Sequence, residues 1–247
     1  MENKINLTLR KNQSFAETES YKKLRSNLQF LGKNIRAISF ISAIQNEGKS
    51  EVSFNLAASM AELGKKVLYI DTDLRNSVFK TRYNLKQTSL FGLAHYLIGE
   101  KTMEEVVYET NVENLYLIPI GAYPPNPSEL LAQESFSELI RNAKKQYDYV
   151  IVDTTPLALV IDEAIVSSVT DGTVLVIEQG RISFNFAKSI IDQLNKSNCK
   201  ILGAVLNKCS ADGDDEYSYG YSYGYGYGYG YGYGYGYGYG NKNKKIE

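Results

Sequence analysis

Six short apolar runs set the tightest limit on what this chain can fold into: AISFISA (37–43), KVLYIDTD (66–73), NLYLIPIG (114–121), YDYVIVDTT (147–155), TVLVIEQG (173–180) and KILGAVLN (200–207). Short and rich in β-branched residues, they predict strands buried on both faces. Between them lie SEVSFNLAASMAELG (50–64), SELLAQESFSELIRNAKK (128–145) and FNFAKSIIDQLNKS (184–197), with apolar residues spaced three and four apart, as a helix needs. Strand and helix in alternation predict an α/β fold, a mostly parallel sheet with right-handed crossovers and helices on both faces. Ligands of such sheets bind beyond the carboxyl ends of the strands.

Ahead of the first strand, SFAETESYKKLRSNLQFL (14–31) predicts a further amphipathic helix, with Tyr21, Leu24, Leu28 and Leu31 on one side. Its charged residues Glu19, Lys22 and Arg25 recur every three positions. They belong either to a helix docked on the sheet or to a face that meets a neighbouring subunit.

The C-terminus breaks every one of these patterns. From Tyr217 to Gly240, 12 of the 21 tyrosines alternate mostly with glycine, which takes 10 of the chain's 20. They are Tyr217, Tyr219, Tyr221, Tyr223, Tyr225, Tyr227, Tyr229, Tyr231, Tyr233, Tyr235, Tyr237 and Tyr239. Glycine at alternate positions denies the segment a packed core, so a disordered tail is expected. The organisation expected is an N-terminal arm and helix over 1–34, a nucleotide-binding domain over 35–210 and a flexible tail over 211–247. By composition alone such a tail is a low-complexity sticker.

Bulk properties narrow the partners. Lys plus Arg number 27 and Asp plus Glu 28, a balance that gives no overall field for nucleic acid or an anionic membrane. The tail repeat carries no basic residue and follows the acidic DGDDE (212–216), which also argues against nucleic acid. Two cysteines, Cys199 and Cys209, and one histidine, His95, form no paired metal-ligand pattern. The cysteines are read as structural and His95 as an ordinary helix or loop residue. MENKINLTLRKNQ has no apolar signal region, and runs such as Leu157 to Ile161 are far short of a bilayer span. A soluble cytoplasmic chain is expected, one that works at a membrane only if another protein brings it there.

The first strand leads into SAIQNEGKSE, and here the chemistry becomes specific. Ala43 to Ser50 reads A-x-x-x-x-G-K-S, a phosphate-binding loop with alanine at its first glycine. Gly48 lets the backbone wrap closely, and the amides ahead of the helix from Lys49 point at phosphate oxygens. Lys49 is placed to reach the β- and γ-phosphates, and Ser50 to put its hydroxyl on magnesium. The nucleotide set expected is Ala43, Gln45, Asn46, Glu47, Gly48, Lys49, Ser50 and Glu51. Asn207, after the last strand, is either an adenine contact or a turn former. Asp71 and Asp73 close the second strand, two residues apart and so facing the same way, and Asp153 closes another. Carboxylates at the ends of apolar strands are costly without a cation or donors, and Mg2+ on a nucleotide supplies one. Arg75 either touches phosphate or pairs with an acid.

In this order, SAIQNEGKS, VLYIDTDLR and VIVDTTP with a tyrosine-rich C-terminus resemble the bacterial tyrosine kinases that regulate capsule and exopolysaccharide synthesis. The chain looks like the stand-alone cytoplasmic form, whose membrane part is a separate adaptor. The resemblance implies a P-loop NTPase fold and an ATP-dependent, Mg2+-requiring tyrosine autokinase. It implies that 43–50 is the Walker A motif, that Asp71 and Asp73 belong to the family's Walker A′ motif and that Asp153 is the Walker B aspartate. It assigns Asp71 as the base for the acceptor tyrosine, with Lys49 and Asp73 also catalytic and with Ser50, Asp73 and Asp153 on the metal. The twelve tail tyrosines become phosphoacceptors. Glu19, Lys22 and Arg25 match the oligomerisation helix. The partners implied are a membrane adaptor with a cytoplasmic C-terminal segment, other copies in a ring-like homo-oligomer and a tyrosine-protein phosphatase, at the inner face of the cell membrane.

The chain departs from the family where it has Gln45-Asn46 for Pro-Gly, Glu51 for threonine and Lys22 for arginine. The first two bear on loop rigidity and nucleotide affinity, the third on the strength of a ring interface. The rival readings are a partitioning or septum-placing ATPase switch and a nucleotide-bound scaffold without turnover. The ATPases carry a second lysine early in the loop, where this chain has Ile44, and the septum-placing kind ends in a membrane helix rather than a tyrosine run.

Overall fold

The computed structural model describes residues 3–9, 13–85, 90–156, 161–197 and 199–209. The chain divides at Cys209, and the whole of Ser210–Glu247, with the expected tail and its twelve tyrosines, lies outside the described residues. In order the elements are β1 (Lys4–Ile5), α1 (Phe15–Phe30), β2 (Ala37–Ser42), α2 (Lys49–Ala61), β3 (Val67–Asp71), α3 (Phe79–Arg82), α4 (Leu93–Leu97), α5 (Met103–Val106), β4 (Tyr108–Thr110), β5 (Leu115–Ile118), α6 (Pro127–Leu131), α7 (Glu134–Gln146), β6 (Tyr149–Asp153), α8 (Ile161–Val169), β7 (Gly172–Glu178), α9 (Phe184–Lys196) and β8 (Ile201–Asn207).

The eight strands form one sheet in the order β1-β4-β5-β3-β6-β2-β7-β8, parallel except where β4 meets β5. From β2 the chain crosses to β3 on one side, and from β6 it crosses back past β2 to β7 on the other. The two crossovers part at neighbouring strands, and such a switch point leaves a crevice at the carboxyl ends. The β3–β6 register pairs Asp71 with Asp153, and β2–β6 pairs Phe40 with Asp153, so both carboxylates stand at that crevice.

Alternation along each strand divides the core in two. Tyr69, Phe40, Leu117 and Ile151 face the layer of α1 and α2 with Phe54, Leu56 and Met60. Leu68, Ile70, Ile118, Val150 and Val152 face the other layer with Phe136, Leu139 and Ile140 of α7. Helix α1 starts with a capping box, in which Glu17 N–H donates to Ser14 Oγ at 3.1 Å and Ser14 N–H to a Glu17 carboxylate oxygen at 2.7 Å. It docks on α2: Leu28 is buried, Asn55 Nδ2 donates to Tyr21 Oη at 3.1 Å, and Arg25 donates to the Ser59 carbonyl at 2.6 Å.

Two expectations need correction. The helix expected over 128–145 is two helices, because Gln133 takes an extended backbone (ψ 150°) and caps α7 anew. The run at 200–207 forms a strand, but not one buried on both faces: among the described residues β8 is the sheet's last strand, paired only with β7, and Gly203, Ala204 and Leu206 are exposed. Among the described residues no helix is long and apolar enough to cross a membrane.

Candidate active site

Leaving β2, the loop turns sharply into α2. Gly48 caps the helix at φ +88°, and Asn46 lies at φ +67°. Asparagine is among the few residues that enter the left-handed region readily, so Asn46 makes the turn that glycine makes in the family pattern. Side chains from neighbouring elements brace the loop. Glu47 is fully buried: its carboxylate accepts from Ile44 N–H at 2.9 Å and from Glu178 N–H, at the end of β7, at 3.3 Å. Asn207 Nδ2 donates to the Glu47 carbonyl at 2.9 Å, and Lys208 Nζ to the Asn46 carbonyl at 2.6 Å. Asn207 thus spends its amide N–H on the loop. A Cβ on Gly48 would collide with that amide nitrogen. Gly48→Ala is therefore expected to cost about 1–3 kcal/mol, from strain at positive φ together with the clash. Denaturant melts would measure it, and Gly48→Ala in an Asn207→Ala background should recover the steric part.

Lys49 opens α2 with its ammonium turned inward, 2.6 Å from Asp153 Oδ1, and both side chains are buried. Ser53 Oγ donates to the same oxygen at 3.3 Å, and Ser50 Oγ lies 3.5 Å from Lys49 Nζ. Asp71 and Asp73 do not face the same way. Strand β3 ends at Asp71, so alternation stops there. Asp73 borders the cavity of the phosphate loop with Lys49, Ser50 and Arg75, whereas Asp71 borders a separate cleft with His95 and Tyr123. Asp73 N–H donates to Asp71 Oδ1 at 3.1 Å, and Ser77 Oγ donates to Asp71 Oδ2.

Burial, and then the charge of Asp153, push the Asp71 carboxyl up to about 7 against the lowering effect of Ser77. Burial also raises Asp73, opposed by the Asn76 N–H. Behind Asp153, Glu163 accepts from Thr154 Oγ1 at 2.8 Å, its other oxygen has no partner among the described residues, and burial raises it to about 8. Asp73, Asp153 and Glu163 thus crowd around one buried ammonium, with Asp71 beside Asp153.

That crowding fits phosphates carrying a divalent cation. A cation beside Asp73 and Asp153 offsets the burial, and the added repulsion of Asp153, that hold Asp71 and Asp73 toward their neutral forms. Among the described residues no three His, Cys, Asp or Glu side chains converge to hold a metal unaided. A cation here would take its remaining ligands from phosphate and water, as magnesium does.

Of the other expected site residues, Ala43 is buried at the head of the loop, Gln45 lines its cavity, and Glu51 receives Arg82 Nη1 at 2.9 Å. Arg75 pairs with an acid, donating to the buried Asp162 from Nε at 2.7 Å, while also lining the cavity. Glu19 and Lys22 pair with each other at 2.8 Å, and Arg25 is engaged by α2. Cys199 is buried and Cys209 exposed. Sequence reasoning missed the braces Glu178 and Lys208, which no local motif marks because β7 and β8 bring them to the loop from 130 residues away or more.

A family model described as an AAA domain matches residues 35–201. The chain is 42% identical over 193 residues to the tyrosine-protein kinase CpsD of Streptococcus agalactiae, spanning 78% of this chain and 84% of that one. Its structure is similar to the kinase domain of the Escherichia coli tyrosine kinase ETK, with a TM-score of 0.76 and 28% identity over 89% and 94% of the two chains. The septum site-determining protein MinD of Pyrococcus horikoshii OT3, solved with Mg-ADP, is less similar, at a TM-score of 0.59 and 26% identity over 70% of each chain. The phosphate loop is of the P-loop NTPase kind, and by sequence and fold together the chain belongs to the bacterial tyrosine kinase family.

Proposed function

We propose that this chain is an ATP-dependent tyrosine autokinase whose acceptors are the tyrosines from Tyr217 to Tyr239, presented by another copy of the chain. The phenolic oxygen attacks the γ-phosphorus of ATP. The bond from that phosphorus to the β,γ-bridging oxygen breaks, ADP leaves with the electron pair, and the phenolic proton passes to Asp71. The observation that carries this reading is Asp71 itself, buried in register with Asp153, whose strand neighbours the phosphate loop's own, and with a carboxyl at about 7. A base serves best when its pKa lies near the working pH, and a phenol near 10 needs one.

Lys49 leaves Asp153 for the phosphates when nucleotide binds, and the loop amides cradle the same oxygens. Magnesium, held through Ser50, Asp73 and Asp153, supplies charge neutralisation at the phosphates. Helix α1 brings copies together through Glu19 and Lys22, and the adaptor's cytoplasmic segment holds the assembly at the membrane and raises its activity. A phosphatase resets the tail. Each phosphate adds about 1.5 to 2 negative charges, so twelve acceptors give graded control of capsule or exopolysaccharide synthesis.

The test is incorporation from radioactive ATP followed by phosphoamino-acid analysis, with and without a candidate adaptor's C-terminal segment. The expected result is label on tyrosine alone, increased by the segment and lost when all twelve tail tyrosines become phenylalanine. ATP hydrolysis with no protein label would favour the switch ATPase instead.

A further inference from the structure

Asp71 borders not the phosphate loop's cavity but a second cleft of about 330 Å³, within the usual range of small-ligand sites, about 300–1,000 Å³. Phe79, Leu90 and Ile120 give its walls apolar surface, Lys80 also lines it, and the Asp71 carboxyl is its buried acid. Tyr123 stands at the mouth, 60% exposed, its hydroxyl donating to the Ser77 carbonyl at 3.2 Å, while Ser77 Oγ reaches Asp71. On another side His95 is fixed in place. Its Nδ1 accepts from Gly92 N–H at 3.2 Å, the Phe91 ring meets it edge-on at 5.2 Å, and a Cβ on Gly121 would strike it. Because Nδ1 accepts, the neutral ring carries its hydrogen on Nε2, which has no partner among the described residues.

Such a cleft suits one kind of guest. Phe79, Leu90 and Ile120 offer apolar surface to an aromatic ring whose hydroxyl reaches the buried carboxylate. A serine hydroxyl stands one carbon from its backbone and stays at the mouth. The chain's own tyrosines alternate with glycine or serine, so no bulky neighbour obstructs entry beside Tyr123. Resting on the kinase reading above, we propose that this cleft seats the ring of the acceptor tyrosine, with His95 and Tyr123 as the residues that select it. Nucleotide and acceptor then approach Asp71 and Asp73 from opposite sides, and a tyrosine in a glycine-rich strand is the preferred substrate class.

The test uses the full chain with its twelve tail tyrosines changed to serine and a synthetic alternating Tyr-Gly peptide as the added acceptor. Ala122, exposed on the cleft's rim, becomes tryptophan to fill the space. Ala122→Trp should raise the peptide KM at least tenfold, weaken peptide binding in a direct titration to the same degree, and leave ATP affinity within twofold. His95→Ala should raise the peptide KM about threefold to tenfold with kcat little changed, and His95→Gln, which keeps a donor, should restore part of it. Unchanged peptide binding in Ala122→Trp would overturn the assignment, as would a loss of ATP affinity in its place, which would put the nucleotide base in this cleft. Peptide binding is read without turnover, so a parent chain that binds the peptide but transfers no phosphate leaves this cleft standing and removes the kinase reading.

Discussion

Lys49→Met is expected to lower phosphate incorporation by at least two to three orders of magnitude, the usual worth of one donor aimed at developing negative charge. The structure adds a second effect. Lys49 is the partner of a buried Asp153 at 2.6 Å, and removing one member of a buried ion pair leaves an uncompensated charge worth about 3–5 kcal/mol. For a domain of this size that is a fall in Tm of roughly 6–20 °C. Lys49→Met alone therefore confuses lost chemistry with lost fold. Lys49→Met with Asp153→Asn should regain most of the stability while remaining inactive, since it removes both charges together. Calorimetry beside a labelling assay tells the two effects apart. Full labelling by either variant would remove this loop from the reaction.

Asp71→Asn should do the reverse, lowering transfer by about two to four orders of magnitude, as loss of a positioned base does, while the fold gains. The sign follows from the carboxyl's position. Asp71 titrates at about 7 in the folded chain against about 3.9 unfolded, so its contribution to stability is present in full below pH 4 and is lost as pH rises through 7. Above pH 7 the native chain carries a buried anion beside Asp153 at a cost of at most about 4 kcal/mol, and asparagine removes that cost. In thermal melts without nucleotide the variant should exceed wild type at pH 8 and lose that advantage at pH 4. A structural carboxylate would instead leave the variant less stable at pH 8. In wild type the rate should rise with pH and level off at or below pH 7, because a bound cation favours the ionised form.

Much of this was legible in the sequence because the signals were local. Six apolar runs became β2, β3, β5, β6, β7 and β8, and A-x-x-x-x-G-K-S became a strand, a tight loop and a helix beginning at Lys49. The elements that escaped lack such signals. Strand β1 has two residues and β4 three, and β1 finds its partner about 100 residues away, as when Glu109 N–H donates to the Asn3 carbonyl at 2.8 Å. Helices α3, α4 and α5 have four or five residues, too few to show a period. At the site the sequence marked Asp71, Asp73 and Asp153 but not their directions. Whether Asp71 and Asp73 share a side depends on where β3 ends, and the backbone after Asp71 turns them into different cavities. His95, read as an ordinary residue, lies on the wall of the cleft that Asp71 faces, because Gly92 and Gly121 let two loops pack closely.

The central claim is that this phosphate loop and Asp71 pass phosphate to tail tyrosines of another copy. The most direct measurement mixes two chains of different mass, each silent as an acceptor or as a donor. One is Lys49→Met with Asp153→Asn and an intact tail, and the other has the native loop with phenylalanine at all twelve tail positions. With radioactive ATP, and the adaptor segment present, neither chain alone should take label, and in the mixture the tail-bearing chain should take label on tyrosine between Tyr217 and Tyr239. A mixture that stays unlabelled while wild type labels itself would contradict transfer between copies, and label on the tail-bearing chain alone would show that phosphate comes from elsewhere than this loop.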